Sequence, residues 1–327
     1  MPHTEFNPSS TTPLISFIVP VYNMPVEYIT ECIDSILQLP LGHDEREIIL
    51  IDDGSDIPVN GLIPQYSDDI IYLRQENKGQ SAARNAGMDT ARGEYIRFVD
   101  SDDCLMHDAY SKIIAAVKSQ SVEIIYFRFS YTNANADKTY QFCSPIDGRT
   151  LLLTQYLRAA DWGYLFKRST LGDLRFPPHL LHEDEEFTPL LFLKAKSIVC
   201  TDLPAYYYRQ RTGSTVNTIN PTHLNRRFEN IETVLEHLRE RAEEMEGSGR
   251  HALQRRIAHL TIEYLYNIAR LTKSNDTMEK TMQRLRRNGF YPVPNLHLGA
   301  RYVAMRMVFS YKPGRILAIK LLPFIKP

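Results

Sequence analysis

The sequence has few cysteines, no long apolar run and no apolar signal core, and each absence excludes a class of protein. The sequence contains no run of 18 apolar residues, so we expect no membrane-spanning helix. The polar first dozen residues argue against secretion. The four cysteines lack the spacing of a metal site or a disulfide framework: Cys32, Cys104, Cys143 and Cys200. We therefore expect reduced thiols in a cytosolic protein.

Two missing motifs restrict the class of enzyme. The first predicted strand, ISFIVPV, is not followed by GxGxxG, which argues against a dinucleotide-dependent oxidoreductase. That strand also ends without an acidic residue, whereas a phosphoaspartate phosphatase would carry its nucleophile there. Neither class is therefore expected.

Acidic residues are missing from the end of the chain. The net charge is −1, yet ten basic residues and no acidic one follow Glu279, so residues 1–279 carry −11. The segment RYVAMRMVFSYKPGRILAIKLLPFIKP mixes these cations with apolar residues. This composition predicts an anionic membrane surface as partner rather than nucleic acid, with the protein peripheral on the inner face of the cell membrane. A helix packed on the acidic remainder of the chain is the alternative.

The order of apolar patterns predicts the fold class. Strands alternate with helices from Ile15 to about Tyr131, which predicts an α/β fold with a parallel sheet covered on both faces. We expect a flexible N-terminus over 1–14, an α/β region over 15–220 with a mixed second half from 121, and a helical, basic region over 221–327. Ligands of such sheets bind at the carboxyl ends of the strands.

Two carboxylate clusters follow predicted strands and should share that edge. FVDSDD places Asp100, Asp102 and Asp103 after the fourth strand, where they could hold Mg²⁺ or Mn²⁺. DDGS places Asp52 and Asp53 after the second strand, where a carboxylate could accept from a base or a ribose. Both clusters have an alternative interpretation, because aspartates also cap turns.

The order of four motifs resembles the N-terminal half of family 2 glycosyltransferases. IVPVYN, IDDGS, ENKGQSAARNAG and FVDSDD occur in that order at strand ends, over roughly residues 15–108. The resemblance implies a GT-A fold with a Rossmann-like, mostly parallel sheet and a C-terminal helical extension. It also implies a nucleotide-binding half over 15–120, an acceptor half over 121–220, and a nucleotide-diphosphate-sugar donor, by expectation a UDP-sugar.

The resemblance assigns roles to the residues of these motifs. Pro20 and Tyr22 would line the base pocket, and Asp52 and Asp53 would hold the uracil and the ribose. The nucleotide wall would be shaped by Asn77, Gly79 and Arg84, the last of which could instead be a surface helix residue. Asp100 and Asp102 would form the Mn²⁺ or Mg²⁺ motif, with Asp102 the expected direct ligand, and Asp100 and Ser101 would also bind the nucleotide sugar.

A second segment extends the resemblance to the catalytic base. DWGYLFKRSTLGDLRFPPHLLHEDEEF carries Glu183 and Asp184 at a predicted helix start, where acids also favour the helix dipole. Asp184 is the expected general base, and Glu183 would orient the base or the acceptor. Arg209 and Arg211 in YYYRQRTGS would grip the diphosphate or simply be solvated, and Trp162 would stack on an acceptor sugar or belong to the core.

These residues together predict an inverting, metal-dependent glycosyltransferase. The metal would neutralise the leaving diphosphate, and one carboxylate would deprotonate the acceptor hydroxyl. We expect a glycan or lipid-linked acceptor in bacterial surface polysaccharide synthesis. An inactive nucleotide-sugar-binding scaffold and a metal-dependent hydrolase on the same carboxylates are the alternatives.

Overall fold

The computed structural model describes residues 12–132, 140–211 and 220–324. Most of the N-terminus predicted to be flexible, residues 1–11, lies outside the described residues, as do residues 212–214 of the predicted YYYRQRTGS motif. The described strands are β1 Ile15–Val21, β2 Arg46–Asp52, β3 Ile70–Arg74, β4 Tyr95–Phe98, β5 Cys104–Leu105, β6 Ile124–Ser130, β7 Tyr164–Lys167 and β8 Ile198–Tyr207.

Helices follow the strands in the first part of the chain and dominate its last third. Their bounds are α1 Val26–Leu37, α2 Gln80–Thr90, α3 His107–Ser119, α4 Gly148–Thr154, α5 Arg168–Leu171, α6 Asp184–Lys194, α7 Pro221–Glu243, α8 Gly247–Thr272, α9 Asn275–Arg287, α10 Ala300–Ser310 and α11 Lys312–Leu321. No helix in the described ranges combines the length and the apolar character that crossing a bilayer requires.

The strands form one mixed sheet in the order β3-β2-β1-β4-β7-β6-β8-β5. β1 pairs in parallel with β2 and β4, and β2 pairs in parallel with β3. β7 is antiparallel to both β4 and β6, while β6 and β8 are parallel. The parallel arrangement predicted from strand–helix alternation therefore holds for the first four strands. Their carboxyl ends lie at one edge, which we call the carboxyl edge.

Apolar runs explain why the central strands are buried on both faces. Phe17, Ile18 and Val19 of β1 are fully buried, as are the four residues 48–51 of β2. A continuous apolar run, rather than an alternating one, suits a parallel strand with helices on each side. The polar residues that follow these strands are thereby delivered to the carboxyl edge.

The described residues form two compact units. Those up to Gly148 and from Arg158 to Arg211 belong to the first, and those from 149 to 157 and from 220 onward belong to the second. Hydrogen bonds explain why 149–157 groups with the C-terminal helices. The Arg255 guanidinium of α8 donates to the Leu152 and Gln155 carbonyls at 2.6 and 2.8 Å.

Candidate functional site

The loops that follow β1 and β2 are tied to each other. The Asn23 N–H donates to Ser55 Oγ at 3.0 Å, and the Asp56 N–H donates to Asn23 Oδ1 at 2.8 Å. Asn23 adopts a left-handed φ of 46°, which an asparagine tolerates better than most residues. Just before it, Pro20 is partly buried and Tyr22 is 51% exposed. The Tyr22 ring at the carboxyl edge is therefore available to a base.

Asp52 organises its own loop. Its carboxylate is fully buried and accepts from the Ser55 N–H at 2.8 Å, the Val59 N–H at 3.2 Å and the Tyr72 hydroxyl at 2.7 Å. Burial by itself raises the pKa of Asp52, but these hydrogen bonds to the charged form outweigh it and leave the pKa lowered. These contacts favour the turn-capping interpretation, and binding of a base or ribose by Asp52 stays a prediction.

Asp53 fixes the start of α2. Its carboxylate accepts from Gln75 Nε2 at 2.7 Å, from the Lys78 N–H at 3.0 Å and from the Gly79 N–H at 2.8 Å. Gly79 has a φ of 86°, a conformation that favours glycine, so the chain can turn here into the helix. Asn77, in the same loop, is exposed. Asp53 thereby sets where α2, and Arg84 on it, begins.

Arg84 is the centre of the site and not a surface residue. Its guanidinium is buried and contacts three carboxylates: Glu183 at 2.5 Å, Asp161 at 2.5 Å and Asp100 at 3.0 Å. Burial opposes its charge, but the attraction of Asp161, Asp100 and Glu183 raises the pKa of Arg84 above its ordinary value. We call these four residues the Arg84 cluster. It joins three of the residues predicted from the sequence motifs with Asp161, which was not predicted.

Helix α2 also positions the chain segment that leads to Glu183. The Asn85 side chain donates to the Phe176 carbonyl and accepts from the Phe176 N–H, both at 2.9 Å. Phe176 in turn stacks on Phe187 of α6 with ring centroids 3.9 Å apart. Consecutive residues of α2, Arg84 and Asn85, thus hold the beginning of α6 to the carboxyl edge.

The DSDD turn is held by the two arginines that follow β8. The predicted strand through AYYYRQR ends at Tyr207, because the Arg209 N–H donates to the Asp103 carboxylate at 2.7 Å instead of continuing the ladder. The Arg209 side chain donates to the Asp102 carbonyl at 2.8 Å and also pairs with Glu31. The Arg211 guanidinium pairs with the Asp102 carboxylate. Arg209 therefore holds the turn, and Arg211 forms an ion pair with Asp102, the predicted metal ligand.

The turn carries a surplus of buried negative charge. Burial, together with Asp161 and Asp102, raises the pKa of Asp100 to about 6 in spite of the opposing Arg84. Burial and the nearby Asp100 and Asp102 raise the pKa of Asp103 to about 8. Carboxylates with raised pKa values are those for which the charged form lacks compensation. The turn would therefore gain from an additional cation.

The predicted base is placed beside the Arg84 cluster. Glu183 is buried and immediately precedes α6, while Asp184 is its first residue and partly exposed. Asp184 Oδ1 accepts from the Glu185 N–H at 2.9 Å, and its charge contributes to the raised pKa of Arg84. The buried carboxylate is thus held by an ion pair, and the neighbouring one is accessible to solvent.

Trp162 belongs to an aromatic cluster. Its ring stacks on Tyr206 with centroids 5.0 Å apart and an interplanar angle of 9°, and Phe129 meets it edge-on. The Arg97 guanidinium, fully buried on β4, donates to the Trp162 carbonyl at 2.6 Å and lies 5.0 Å from the Tyr206 ring centroid. These contacts favour the core interpretation of Trp162. Arg97 was not predicted, since a lone charge within an apolar strand gives no pairing signal.

Two carboxylates of this site suit a divalent cation. Within the described ranges, no group of three or more His, Cys, Asp or Glu residues is arranged as a metal centre. Asp100 and Asp102, one residue apart at the carboxyl edge, offer oxygen ligands of the kind that Mg²⁺ and Mn²⁺ prefer, and substrate phosphates and water commonly complete such a shell. The surplus negative charge of the turn fits this role.

Known proteins share the fold. A structure of Staphylococcus aureus TarS, residues 1–349, in complex with UDP-GlcNAc superposes with a TM-score of 0.68 at 19% identity and covers 95% of this chain and 90% of that one. The mannosyltransferase PcManGT from Pyrobaculum calidifontis, in complex with GDP-Man and Mn²⁺, gives 0.57 at 15% identity and covers 96% and 88%. The fold is that of the GT-A glycosyltransferases, as the motifs implied.

Sequence comparison identifies the family. The model for glycosyl transferase family 2 matches residues 16–164. An uncharacterized glycosyltransferase from Haemophilus influenzae is 32% identical over 181 residues, covering 54% of this chain and 70% of that protein. The poly(ribitol-phosphate) beta-N-acetylglucosaminyltransferase TarS is 26% identical over 200 residues, covering 59% of this chain and 35% of TarS. The chain therefore belongs to glycosyltransferase family 2.

The matched part of the chain covers very different shares of its relatives. It covers 31% of one streptococcal relative and 73% of another. The family model places the shared segment at residues 16–164, and the family expectation is confirmed at that level.

Removing the charge of Arg84 should destabilise the protein strongly. In Arg84→Gln, three carboxylates would remain without their cation, and breaking a buried ion cluster in this way typically costs about 3–5 kcal/mol. Adding Asp161→Asn should recover part of the loss, because it removes one of the stranded charges. Urea denaturation would measure the free energy of unfolding of each variant.

Arg175 offers the matched control for Arg84. It pairs with Asp89 at 2.8 Å, and both side chains are exposed, so Arg175→Gln should change stability by at most about 1 kcal/mol. A loss for Arg84→Gln no larger than that of the control would contradict the central role of the Arg84 cluster.

The surplus negative charge of the DSDD turn should make the free energy of unfolding depend on pH when divalent cations are removed. The raised pKa of Asp103, about 8, means that the folded state binds the proton more tightly than the unfolded chain. The free energy of unfolding should therefore fall as pH rises from the unfolded pKa, about 4, through the folded one. Asp103→Asn keeps an acceptor for the Arg209 N–H and should flatten this fall.

Urea denaturation across that pH range, with a chelator present, measures the effect. At the alkaline end Asp103→Asn should be more stable than the unmodified protein by over about 1.4 kcal/mol, the equivalent of one pKa unit. Asp202→Asn, at an exposed acid, should follow the unmodified protein. Parallel curves for all three proteins would show that Asp103 is not held protonated.

Proposed function

We propose that this protein is a metal-dependent, inverting glycosyltransferase that moves a hexosyl group from a nucleotide-diphosphate sugar, by expectation a UDP-sugar, to an acceptor hydroxyl. The observation that carries the proposal is the Arg84 cluster. One guanidinium contacts Asp100 of the DSDD turn at 3.0 Å and Glu183 of the Glu183–Asp184 pair at 2.5 Å. The predicted leaving-group side and the predicted base side of the reaction therefore share one rigid connection.

The DSDD turn would receive the donor diphosphate. When bound at Asp100 and Asp102, Mn²⁺ or Mg²⁺ would neutralise the charge that develops on the leaving diphosphate. Arg211, paired with Asp102 in the described chain, is near enough to contribute a second positive charge. Ser101 is buried between the two aspartates. A complex of the neighbour PcManGT with GDP-Man and Mn²⁺ supports this assignment.

The nucleotide would lie across the ends of β1, β2 and α2. Tyr22 is exposed there and offers a ring face to the base, and Pro20 precedes it on β1. Asp53 holds the loop of Asn77 and Gly79 through two backbone N–H groups, and this loop forms the wall of the pocket. The TarS complex with UDP-GlcNAc supports a uridine nucleotide.

Asp184 would take the proton from the acceptor hydroxyl as the hydroxyl attacks the anomeric carbon. Its partial exposure suits a group that must meet an acceptor from solvent, and buried Glu183 fixes its direction through the ion pair with Arg84. A single base on the side opposite to the diphosphate gives direct displacement with inversion. The carboxylate then carries the proton until it exchanges with water.

The acceptor is proposed to be a glycan or a lipid-linked glycan of a bacterial surface polysaccharide. The relative TarS is named for transfer to poly(ribitol-phosphate), a polymer that presents hydroxyl groups. Reaction on a lipid-linked acceptor would place the protein peripherally on the inner face of the cell membrane.

Asp184→Asn should greatly slow transfer and keep donor binding. The amide cannot accept the acceptor proton, and loss of a general base typically lowers turnover by about 10²–10⁴-fold. Calorimetry with the UDP-sugar and Mn²⁺ measures donor affinity, and release of UDP measures turnover. Glu186→Gln, in the same first turn of α6, is the matched control and should keep turnover. Equal turnover of Asp184→Asn and the control would refute the base assignment.

A panel of nucleotide sugars should identify the donor and the cation together. A ligand at about 100 times its Kd stabilises the folded state by about 2.7 kcal/mol, so the correct donor should raise the Tm. We expect this rise only with Mn²⁺ or Mg²⁺, and we expect Asp102→Asn to lose it. Asp202→Asn controls for removal of a carboxylate elsewhere. A rise without cation, or one retained in Asp102→Asn, would contradict the metal site.

A further inference from the structure

Helices α10 and α11 of the second unit carry a concentration of exposed apolar side chains. Eleven large apolar or aromatic residues are exposed in the described ranges, and six of them fall between residues 307 and 324. Single exposed apolar residues are common, whereas a contiguous group marks an interaction surface. We call this group the α10–α11 face: Met307, Val308, Tyr311, Leu317, Leu321 and Phe324.

The other side of the same helices is firmly packed, which fixes the direction of the α10–α11 face. Phe309 and Ile319 are buried, and the buried Arg315 guanidinium donates to Glu279 of α9 at 2.9 Å and to the Phe309 carbonyl at 3.0 Å. A Cβ at Gly314 would lie 2.2 Å from the Val308 carbonyl oxygen. Glycine there lets α11 approach α10 closely, so the exposed side chains lie on two helices that are in contact.

The charged residues on helices α10 and α11 are all positive. Arg301, Lys312 and Lys320 are exposed on the same two helices, and ten basic residues with no acidic one occupy 280–327. Docking of a second copy through this face would bring like charges together, because a two-fold interface pairs a surface with itself. Nucleic acid would not use six exposed apolar side chains. Apolar groups surrounded by cations fit a partner with an apolar interior and an anionic surface.

We propose that the α10–α11 face binds the surface of an anionic lipid bilayer. Residues such as Leu317, Leu321 and Phe324 would enter the boundary between headgroups and acyl chains, and Lys312 and Lys320 would meet the headgroup phosphates. The inference deepens the proposed function by naming the surface at which a lipid-linked acceptor would be met. It is tested without donor or acceptor, so its failure and that of the proposed activity can be told apart.

Sedimentation of the full chain with vesicles tests this inference. The protein should bind vesicles of phosphatidylglycerol and phosphatidylcholine, bind pure phosphatidylcholine much less, and release as salt is raised. Leu317→Glu with Leu321→Glu should weaken binding by at least about tenfold, because it places acids in the apolar part of the face. Leu62→Glu, at an exposed leucine of the first unit, is the matched control and should bind as the unmodified protein does.

Variants that remove one positive charge provide a second test, which applies even if the double leucine variant does not fold. Lys312→Gln and Lys320→Gln change exposed side chains only, and each should weaken binding by about fivefold, the equivalent of one cation near an anionic leaflet. No binding by the unmodified chain, or equal binding by all variants, would overturn the inference. So would gel filtration showing that the leucine variant converts an oligomer into a monomer, since the face would then join copies of the chain.

Discussion

The ion contacts of Arg84 are the interaction on which the geometry of the site depends. Asp100, Asp161 and Glu183 come from three separate parts of the chain, and a single buried guanidinium holds all three. Charges removed from water are costly unless they are paired, so the three segments cannot separate without exposing unpaired charge in the interior. The cluster therefore ties the end of β4, the turn before β7 and the start of α6 to α2.

The polar residues of the carboxyl edge differ in how far they are buried. Asp52 and Asp53 are buried and accept hydrogen bonds from their own loops, and Arg209 holds the DSDD turn from outside. Tyr22 and Asp184 remain partly or largely exposed. The buried acceptors set the positions of their loops, whereas Tyr22 and Asp184 beside them are accessible to solvent.

Sequence patterns predicted the first four strands, the helices between them and the carboxyl edge, because strand–helix alternation and apolar runs are local signals. The motifs also named Arg84, Asp100 and Glu183, which the structure brings together in the Arg84 cluster, and their functional roles stay predictions. They did not identify Asp161, which stands in a short turn and whose partner lies 77 positions earlier in the chain. Sequence patterns likewise did not predict that β8 ends at Tyr207 or that residues 149–157 group with α8. Both features follow from hydrogen bonds between residues that are distant in the sequence.

The carboxylates around Arg84 and in the DSDD turn outnumber the cations that face them, and this surplus of negative charge opposes folding. One guanidinium faces three carboxylates in the Arg84 cluster, and Asp103 adds another buried acid nearby. A fold selected only for stability would place amides or apolar residues at such positions, because buried charges of like sign raise each other's pKa and oppose folding. The DSDD turn keeps them at the edge where strands end and where a ligand can enter. Under the proposed function, a divalent cation at this turn would relieve the electrostatic cost present in the free protein, and that relief would contribute to the affinity for the cation and for the diphosphate that accompanies it.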